Sequence, residues 1–286
     1  MSSILLVAHH ERVEAAALAQ AAATWLRGHG HRVWMPPPDA AALTLEGLGS
    51  DEEAASADLA VCIGGDGTML RTVHLLQGAP VPIIGVNVGL LGYLTEVEPP
   101  ALSHSLERFF AGPADGHWRV DERMMIDLVL RRGGASIGRW TALNEGVVEK
   151  QESGHTVRLQ VIIDGAPFTS YAADGLIIAT PTGSTAYSLS ARGPVLSPRT
   201  RAILVTPVSP HMLFDRSLVL DPSEAVEVEV IGHRGVTLSI DGQPVTSLTE
   251  GDRVAVETSP HTARFVRFGE RHFHQILKAK FGLADR

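Results

Sequence analysis

The stretch LAVCIGGDGTMLRTVHLL, residues 59–76, decides the reading of the fold. Leu59 to Ile63 has the length and character of a buried strand, and Met69 to Leu76 reads as a helix. Between them lies Gly64-Gly65-Asp66-Gly67-Thr68. Glycines at such a junction remove the Cβ atoms that would hold a phosphate away, and they permit positive φ angles. The helix beyond them points unpaired N–H groups back at the loop. Asp66 is the odd member. A carboxylate in a phosphate cradle repels its ligand unless it binds a metal ion or takes a proton. The pattern is neither a Walker A sequence nor a dinucleotide fingerprint, because the lysine and the G-x-G-x-x-G spacing are both missing. A plain strand-to-helix turn with Asp66 as cap is the alternative reading. Arg71, one helical turn beyond Thr68, either reaches a phosphate or is a solvated helix residue.

Working outward, the first 118 residues alternate strands with helices. Ile4 to Ala8 reads as a strand, Glu11 to Arg27 as an Ala-rich helix ending at Gly28, and His31 to Met35 as a strand stopped by Pro36-Pro37-Pro38. Ile83 to Val86 is a fourth strand and Ala101 to Phe110 a further helix. This alternation predicts a Rossmann-like α/β domain with a parallel sheet. Residues 119–266 read as a second, all-β domain. Its expected strands are Met125–Leu130, Arg158–Ile163, Leu176–Ala179, Ala202–Val205, Ala225–Ile231, Val236–Ile240 and Arg253–Glu257. The pairs Gly133-Gly134, Asp164-Gly165, Asp241-Gly242 and Gly251-Asp252 mark turns. Phe273 to Phe281 has helical spacing, and the segment 267–286 is expected to complete the first domain.

Composition narrows the function classes. The chain has 286 residues, 44% apolar and 20% charged, the balance of a globular protein. Its net charge of -8 argues against a general nucleic-acid binder but not against a phosphate-bearing small ligand. The first apolar run is too short for a signal-peptide core, and no run approaches the ~18 apolar residues of a membrane span. The single cysteine, Cys62, excludes an internal disulfide framework and a Cys-based zinc site. These features point to the cytoplasm, with no membrane partner.

Two further segments carry polar chemistry. Asp174-Gly175 leads through the apolar run Leu176–Ala179 into Thr180-Pro181-Thr182-Gly183-Ser184-Thr185-Ala186-Tyr187-Ser188. Its hydroxyls suit ribose and amide groups, and Tyr187 can pack on a ring. The alternative is a Ser/Thr-rich loop capping the next helix. Asn144-Glu145 interrupts an apolar run. Asn can read an adenine edge and Glu can accept from two ribose hydroxyls, or the pair is simply a strand-end turn. His9-His10 end the first strand, near where ligands bind in open α/β sheets.

Taken in order, Gly64–Thr68, Asn87-Val88-Gly89, Leu91-Gly92-Tyr93-Leu94, Asn144-Glu145, Asp174–Ser190 and Asp241-Gly242-Gln243 resemble the bacterial NAD kinases over nearly the whole chain. The G-G-D-G-T element is shared with diacylglycerol and sphingosine kinases and, in related form, with phosphofructokinases. T-P-T-G-S-T-A-Y is much more specific to NAD kinases. The resemblance implies an α/β domain, a β-rich domain and an active site between them. It implies transfer of the terminal phosphoryl group of ATP, another triphosphate or polyphosphate to the 2′-hydroxyl of the adenosine ribose of NAD. Gly64, Gly65, Gly67 and Thr68 would hold the donor, with Arg71 a further donor candidate from its place on the helix alone, and Asp66 would be the general base or would position Mg²⁺. The implied NAD contacts are Asp66, Gly67, Asn144, Glu145, His155, Asp174, Thr185, Ala186, Tyr187, Ser188, Leu189, Ser190 and Gln243. A homodimer or homotetramer is implied as well.

This chain departs from the family's pattern at four places. Arg192 replaces the first glycine of S-A-G-G-P, Leu90 stands where Arg precedes L-G-F, Gly146 replaces a branched residue, and Ser217 replaces the proline of R-P-L. Two other functions share parts of the pattern. A lipid kinase would need a membrane-binding surface and leaves T-P-T-G-S-T-A-Y unexplained. A non-catalytic nucleotide-binding regulator would not need Asp66.

Overall fold

The apolar run Ile4–Ala8 is buried throughout and forms β1 (Ser3–Ala8). Helix α1 (Val13–Gly28) follows, with Ala15, Ala19, Ala22, Ala23 and Leu26 buried along one stripe. That spacing is the amphipathic helical period, and the small alanines let the helix lie close to the sheet. Then come β2 (Arg32–Trp34), α2 (Pro37–Ala42), β3 (Leu59–Gly64), α3 (Asp66–Leu76), β4 (Pro82–Asn87) and α4 (Leu102–Phe110). The structure is a computed structural model and describes residues 1–269 and 272–283. Of the segment 267–286 expected to complete the first domain, residues 270, 271 and 284–286 lie outside those described.

The chain divides into two units, Met1–Glu122 with Ala263–Arg286, and Arg123–Thr262. In the first, the strands run parallel in the order β2-β1-β3-β4, with Leu5 opposite Trp34, Val7 opposite Cys62 and Cys62 opposite Gly85. The order reverses between β1 and β3. Their carboxyl ends are therefore the place where an open α/β sheet offers a ligand crevice. Pro36-Pro37-Pro38 does end β2, but Pro37 also opens α2, because a fixed φ and a missing N–H suit the first turn of a helix. Helix α3 starts at Asp66, three residues before the expected Met69, so the second half of the glycine loop is helical.

The second unit is antiparallel. Its elements are β5 (Arg119–Arg132, which starts in the first unit), β6 (Ala135–Ala142), β7 (Glu145–Lys150), β8 (Val157–Ile163), β9 (Ala166–Ala173), β10 (Gly175–Ala179), α5 (Tyr187–Ser190), β11 (Ile203–Val208), β12 (Leu218–Leu220), β13 (Val226–Val230), β14 (Val236–Ile240), β15 (Gln243–Leu248) and β16 (Arg253–Arg267). One sheet has the order β12-β11-β10-β7-β14-β15, and β8, β9 and β13 pair in another with the start of β16. The end of β16 runs parallel to β4 in the first unit, Phe265 opposite Ile83, and α6 (Phe273–Lys280) follows it. Strands β6, β9 and β15 carry no Val/Ile-rich run, which hid them from the sequence pattern. Hairpin turns betray them instead. Gly133-Gly134, Asp164-Gly165 and Asp241-Gly242 all take positive φ at both residues, as two-residue hairpin loops of type I′ require.

Candidate active site

In the first unit the glycine loop is built around Asp66. The residue heads α3, and both carboxylate oxygens accept backbone N–H groups. Tyr93 N–H donates to Oδ2 and Leu94 N–H to Oδ1, each at 2.9 Å. Gly92 permits this approach, since a Cβ there would lie 2.4 Å from Asp66 Oδ1. The segment is held from behind by Arg267, whose guanidinium donates to Leu94 O at 2.8 Å and also meets Asp121 and Glu96. Tyr93 in turn carries α6, with the Phe273 ring tilted against it at 6.3 Å and the Lys280 ammonium 4.3 Å from its ring centre. Of the two purposes the sequence suggests for the glycines, positive φ is not the one they serve. None of Gly64, Gly65 and Gly67 has a positive φ. Gly64 is needed because a Cβ would lie 2.2 Å from Thr68 Oγ1, whereas Gly65 and Gly67 open onto free space. The Thr68 side chain is buried. Arg71 is ion-paired to the buried Asp39. Burial pushes the Cys62 thiol up to about 12, so it is inert beneath the loop.

In the second unit Asn144 and Glu145 form the corner between β6 and β7, and Asp241 fixes that corner. Its carboxylate accepts N–H from Leu143 (2.9 Å), Asn144 (2.7 Å) and Glu145 (3.0 Å), and its own N–H donates to Glu145 O at 2.9 Å. The hydroxyl-rich run packs on the same corner. Thr180 donates to Leu143 O through Oγ1 and to Asn144 O through its amide. Gly183 lies so close that a Cβ would sit 2.1 Å from Asn144 O. The hydroxyls of this run mostly face inward. Ser184 bonds Pro181 O and Leu196, and Ser188 bonds Thr206, which donates to Ser217. Thr185, Ala186 and Leu189 are half-buried, and Tyr187 and Ser190 are exposed.

Residues 4–114 match the ATP-NAD kinase N-terminal domain and residues 143–268 the ATP-NAD kinase C-terminal domain. The chain belongs to the ATP-NAD kinase family. It is 37% identical over 283 residues to the NAD kinase of Desulforamulus reducens, spanning 98% of this chain and 97% of that one. It is 44% identical over 224 residues to that of Heliobacterium modesticaldum, 78% of each chain. Its fold is similar to that of yeast NADH kinase complexed with NADH, with a TM-score of 0.90 at 24% identity over all of this chain and 89% of that one. An NAD kinase from Archaeoglobus fulgidus in complex with ATP gives 0.71 at 23% identity, over 99% and 98%. The chain is thus a phosphotransferase, a kinase acting on NAD.

Within this NAD kinase fold the three remaining candidate residues lie at three places. Asp174 lies between β9 and β10 and is ion-paired with Lys150 at 2.6 Å. His155 lies on the β7–β8 connection and lines a cavity of about 260 Å³ with Lys150, His233 and Arg234. Gln243 starts β15, exposed, two residues beyond Asp241. Three residues that organise the candidate site had no sequence role assigned to them: Asp39, Asp241 and Arg267. Asp241 was visible as a turn residue and as part of the family's Asp241-Gly242-Gln243 element, without a role, and nothing local marks the other two.

Glu145 is buried, and its Oε2 has no hydrogen-bond partner. Burial first, and then the Asp241 carboxylate, push its pKa up to about 8, against a smaller opposing effect of the Tyr187 N–H. A carboxyl group with a raised folded pKa holds its proton in the native state while the unfolded chain has lost it. Stability of the ligand-free protein is therefore expected to fall as pH rises from about 4.5 towards 8. A Glu145→Gln variant, followed by urea unfolding across that range, should lose this contribution to the slope.

Arg192 takes φ +66°, the left-handed region. It follows the end of α5 as the two bonds of a Schellman motif require, with Arg192 N–H on Leu189 O (3.0 Å) and Gly193 N–H on Ser188 O (2.7 Å). This explains the family's glycine at the position. Arg192→Gly is expected to stabilise the protein by about 1 kcal/mol, read as a rise in the urea midpoint. The Gly146 departure has a compensating neighbour, since a Cβ there would lie 2.1 Å from Leu128 Cδ2. Leu90 is exposed, and nothing in the structure explains its choice.

Proposed function

We propose that this chain transfers the terminal phosphoryl group of a triphosphate or polyphosphate, ATP foremost, to the 2′-hydroxyl of the adenosine ribose of NAD. The observation that carries the reading is the clamped Asp66 carboxylate at the head of α3, beside two glycines that leave space for phosphate oxygens. Each Asp66 oxygen accepts one N–H and keeps a further acceptor position, so the group is oriented without being used up. A ribose hydroxyl is a poor nucleophile at neutral pH. In this reading Asp66 takes its proton as the 2′-oxygen attacks the terminal phosphorus and the shortened polyphosphate leaves. Such help is worth about 10²–10⁴-fold in rate. The first-turn N–H groups of α3 and the backbone at Gly64, Gly65, Gly67 and Thr68 would hold the donor. The ATP complex of the Archaeoglobus fulgidus protein supports a nucleotide donor.

Asn144, Glu145, His155, Asp174, the run Thr185 to Ser190 and Gln243 are the proposed NAD contacts. The buried Glu145 Oε2 lacks a hydrogen-bond partner, and a ribose hydroxyl, which both donates and accepts, would supply one. Mg²⁺ fits as a metal brought in on the donor. Among the described residues no group of three or more His, Cys, Asp or Glu could hold an ion alone. A phosphate-borne Mg²⁺ needs only one or two protein carboxylates, and Asp66 is the one in this loop. Bound there, the ion would neutralise charge on the transferring phosphates.

The proposed setting is the cytoplasm, as a homo-oligomer. Among the described residues no helix is long and apolar enough to cross a membrane. Exposed Phe168 and Phe214, in ring contact at 5.7 Å, and fully exposed Leu213 suit self-association. The experiment that tests the function supplies NAD, ATP and Mg²⁺ to the purified protein and detects NADP with an NADP-specific dehydrogenase. No NADP with ATP, other triphosphates or polyphosphate would overturn the reading.

A further inference from the structure

The geometry points to His10 and Arg71 as a cationic subsite for the donor's terminal phosphates, with Asp39 the positioning residue that tethers both. This rests on the function proposed above and assigns part of its donor site.

Asp39 is almost wholly buried, in the first turn of α2. Its Oδ1 accepts from the guanidinium of Arg71 and lies 3.1 Å from His10 Nε2. Its Oδ2 is buried without a partner. A carboxylate that served stability alone would present both oxygens to the arginine fork, which is the stronger arrangement, and would leave no buried acceptor unpaired. Here both side chains crowd onto one oxygen. Arg71 is tethered through Nη2, and its Nε and Nη1 have no acceptor among the described residues. His10 spends Nε2 on the tether, and its Nδ1 has no partner among the described residues. Both side chains stay more than a third exposed, 39% for His10 and 35% for Arg71, though their shared anchor is not.

Topology places this pair where a phosphate chain would run. His10 follows the carboxyl end of β1, and Arg71 lies on the helix that leaves the carboxyl end of β3. These are the two strands at which the sheet order reverses. Ala8 pairs with Ile63, and His9 N–H donates to Ile63 O at 2.9 Å, so the segment bearing His10 is fastened to the strand that feeds Gly64. A guanidinium with free donors and an imidazole, held at the switch point on one buried carboxylate, suit phosphates and not a base. A nucleoside triphosphate and an inorganic polyphosphate should therefore depend on them alike.

The test is steady-state kinetics on the full chain, with ATP and with inorganic tripolyphosphate as donor. Tripolyphosphate binding is also measured by calorimetry without NAD. Asp39→Asn is expected to raise the KM of both donors and the tripolyphosphate Kd about tenfold, with the KM for NAD within about twofold. Asp39→Glu should recover part of the loss. His10→Gln, an exposed change that does not threaten folding, should raise donor KM about threefold and keeps the idea testable if Asp39→Asn is unstable. Unchanged donor KM in a folded His10→Gln protein would overturn the subsite, as would an equal rise in the KM for NAD. A response to ATP without one to tripolyphosphate would overturn it too, because the site would then read the nucleoside. If the unaltered protein makes no NADP, the functional reading fails, and the tripolyphosphate Kd still judges the subsite by itself.

Discussion

Asp66→Asn is expected to lower kcat for NADP formation by about 10²–10⁴-fold while the KM for NAD moves only a few-fold. Two losses combine. An amide is far less basic than a carboxylate and cannot take the 2′-hydroxyl proton. It also presents an NH₂ to one of the two backbone N–H groups, from Tyr93 and Leu94, that now donate to the carboxylate. The Leu91–Leu94 segment would shift as a result, so thermal unfolding belongs beside the rate measurement. A variant that unfolds within a few degrees of the parent yet loses its turnover supports Asp66 at the reacting atoms. Retention of more than about a tenth of the parent kcat would place the chemistry elsewhere.

Asp241→Ala should be the more damaging change for the protein itself. It strips the acceptor from the N–H groups of Leu143, Asn144 and Glu145, at a carboxylate only 7% exposed. Leaving such donors unpaired costs about 3–5 kcal/mol, a large part of the ~5–15 kcal/mol that holds a typical domain together. The molecules that still fold would present Asn144 and Glu145 in the wrong place, so the KM for NAD is expected to rise at least about tenfold. Asp241→Asn keeps one acceptor and should fall between. Both changes remove the charge that helps to raise the Glu145 pKa, so the fall in stability with rising pH that Glu145 causes should end at a lower pH. Urea unfolding across pH and NAD titration of the same samples check the two halves. An Asp241→Ala protein as stable as its parent, with an unchanged KM for NAD, would remove Asp241 from this account.

The architecture was legible because its signals are local. A strand of five or six apolar residues, an alanine stripe at helical spacing and a pair such as Asp241-Gly242 each act within a few residues, and β1, β3, α3 and β14 stand where those patterns put them. Elements without a local signal were lost. Strand β9, A-P-F-T-S-Y-A-A, has no branched apolar run and exists because β8 offers it a ladder from Val157 to Ile163. Helix α2 was hidden by prolines that read as a stop.

The motifs stood out for the same local reason, since each is a run of adjacent residues legible without its partners. What each glycine does was not legible. Gly64 answers to Thr68 four residues on, but Gly92 answers to Asp66 and Gly183 to Asn144, and those partners are decided by packing.

Residue order alone thus settled the family, the α/β and β-rich division of elements and which short stretches carry polar chemistry. Those follow from periodicity, turn preference and motif, all written along the chain. The tertiary structure alone decided how the polar groups are held. Asp241 grips Asn144 from 97 residues away, Arg267 reaches Leu94 across 173, and Arg71 shares Asp39 with His10 across the sheet's switch point. A buried charge is tolerated only where donors converge on it from several elements, and that convergence exists only once the chain has folded.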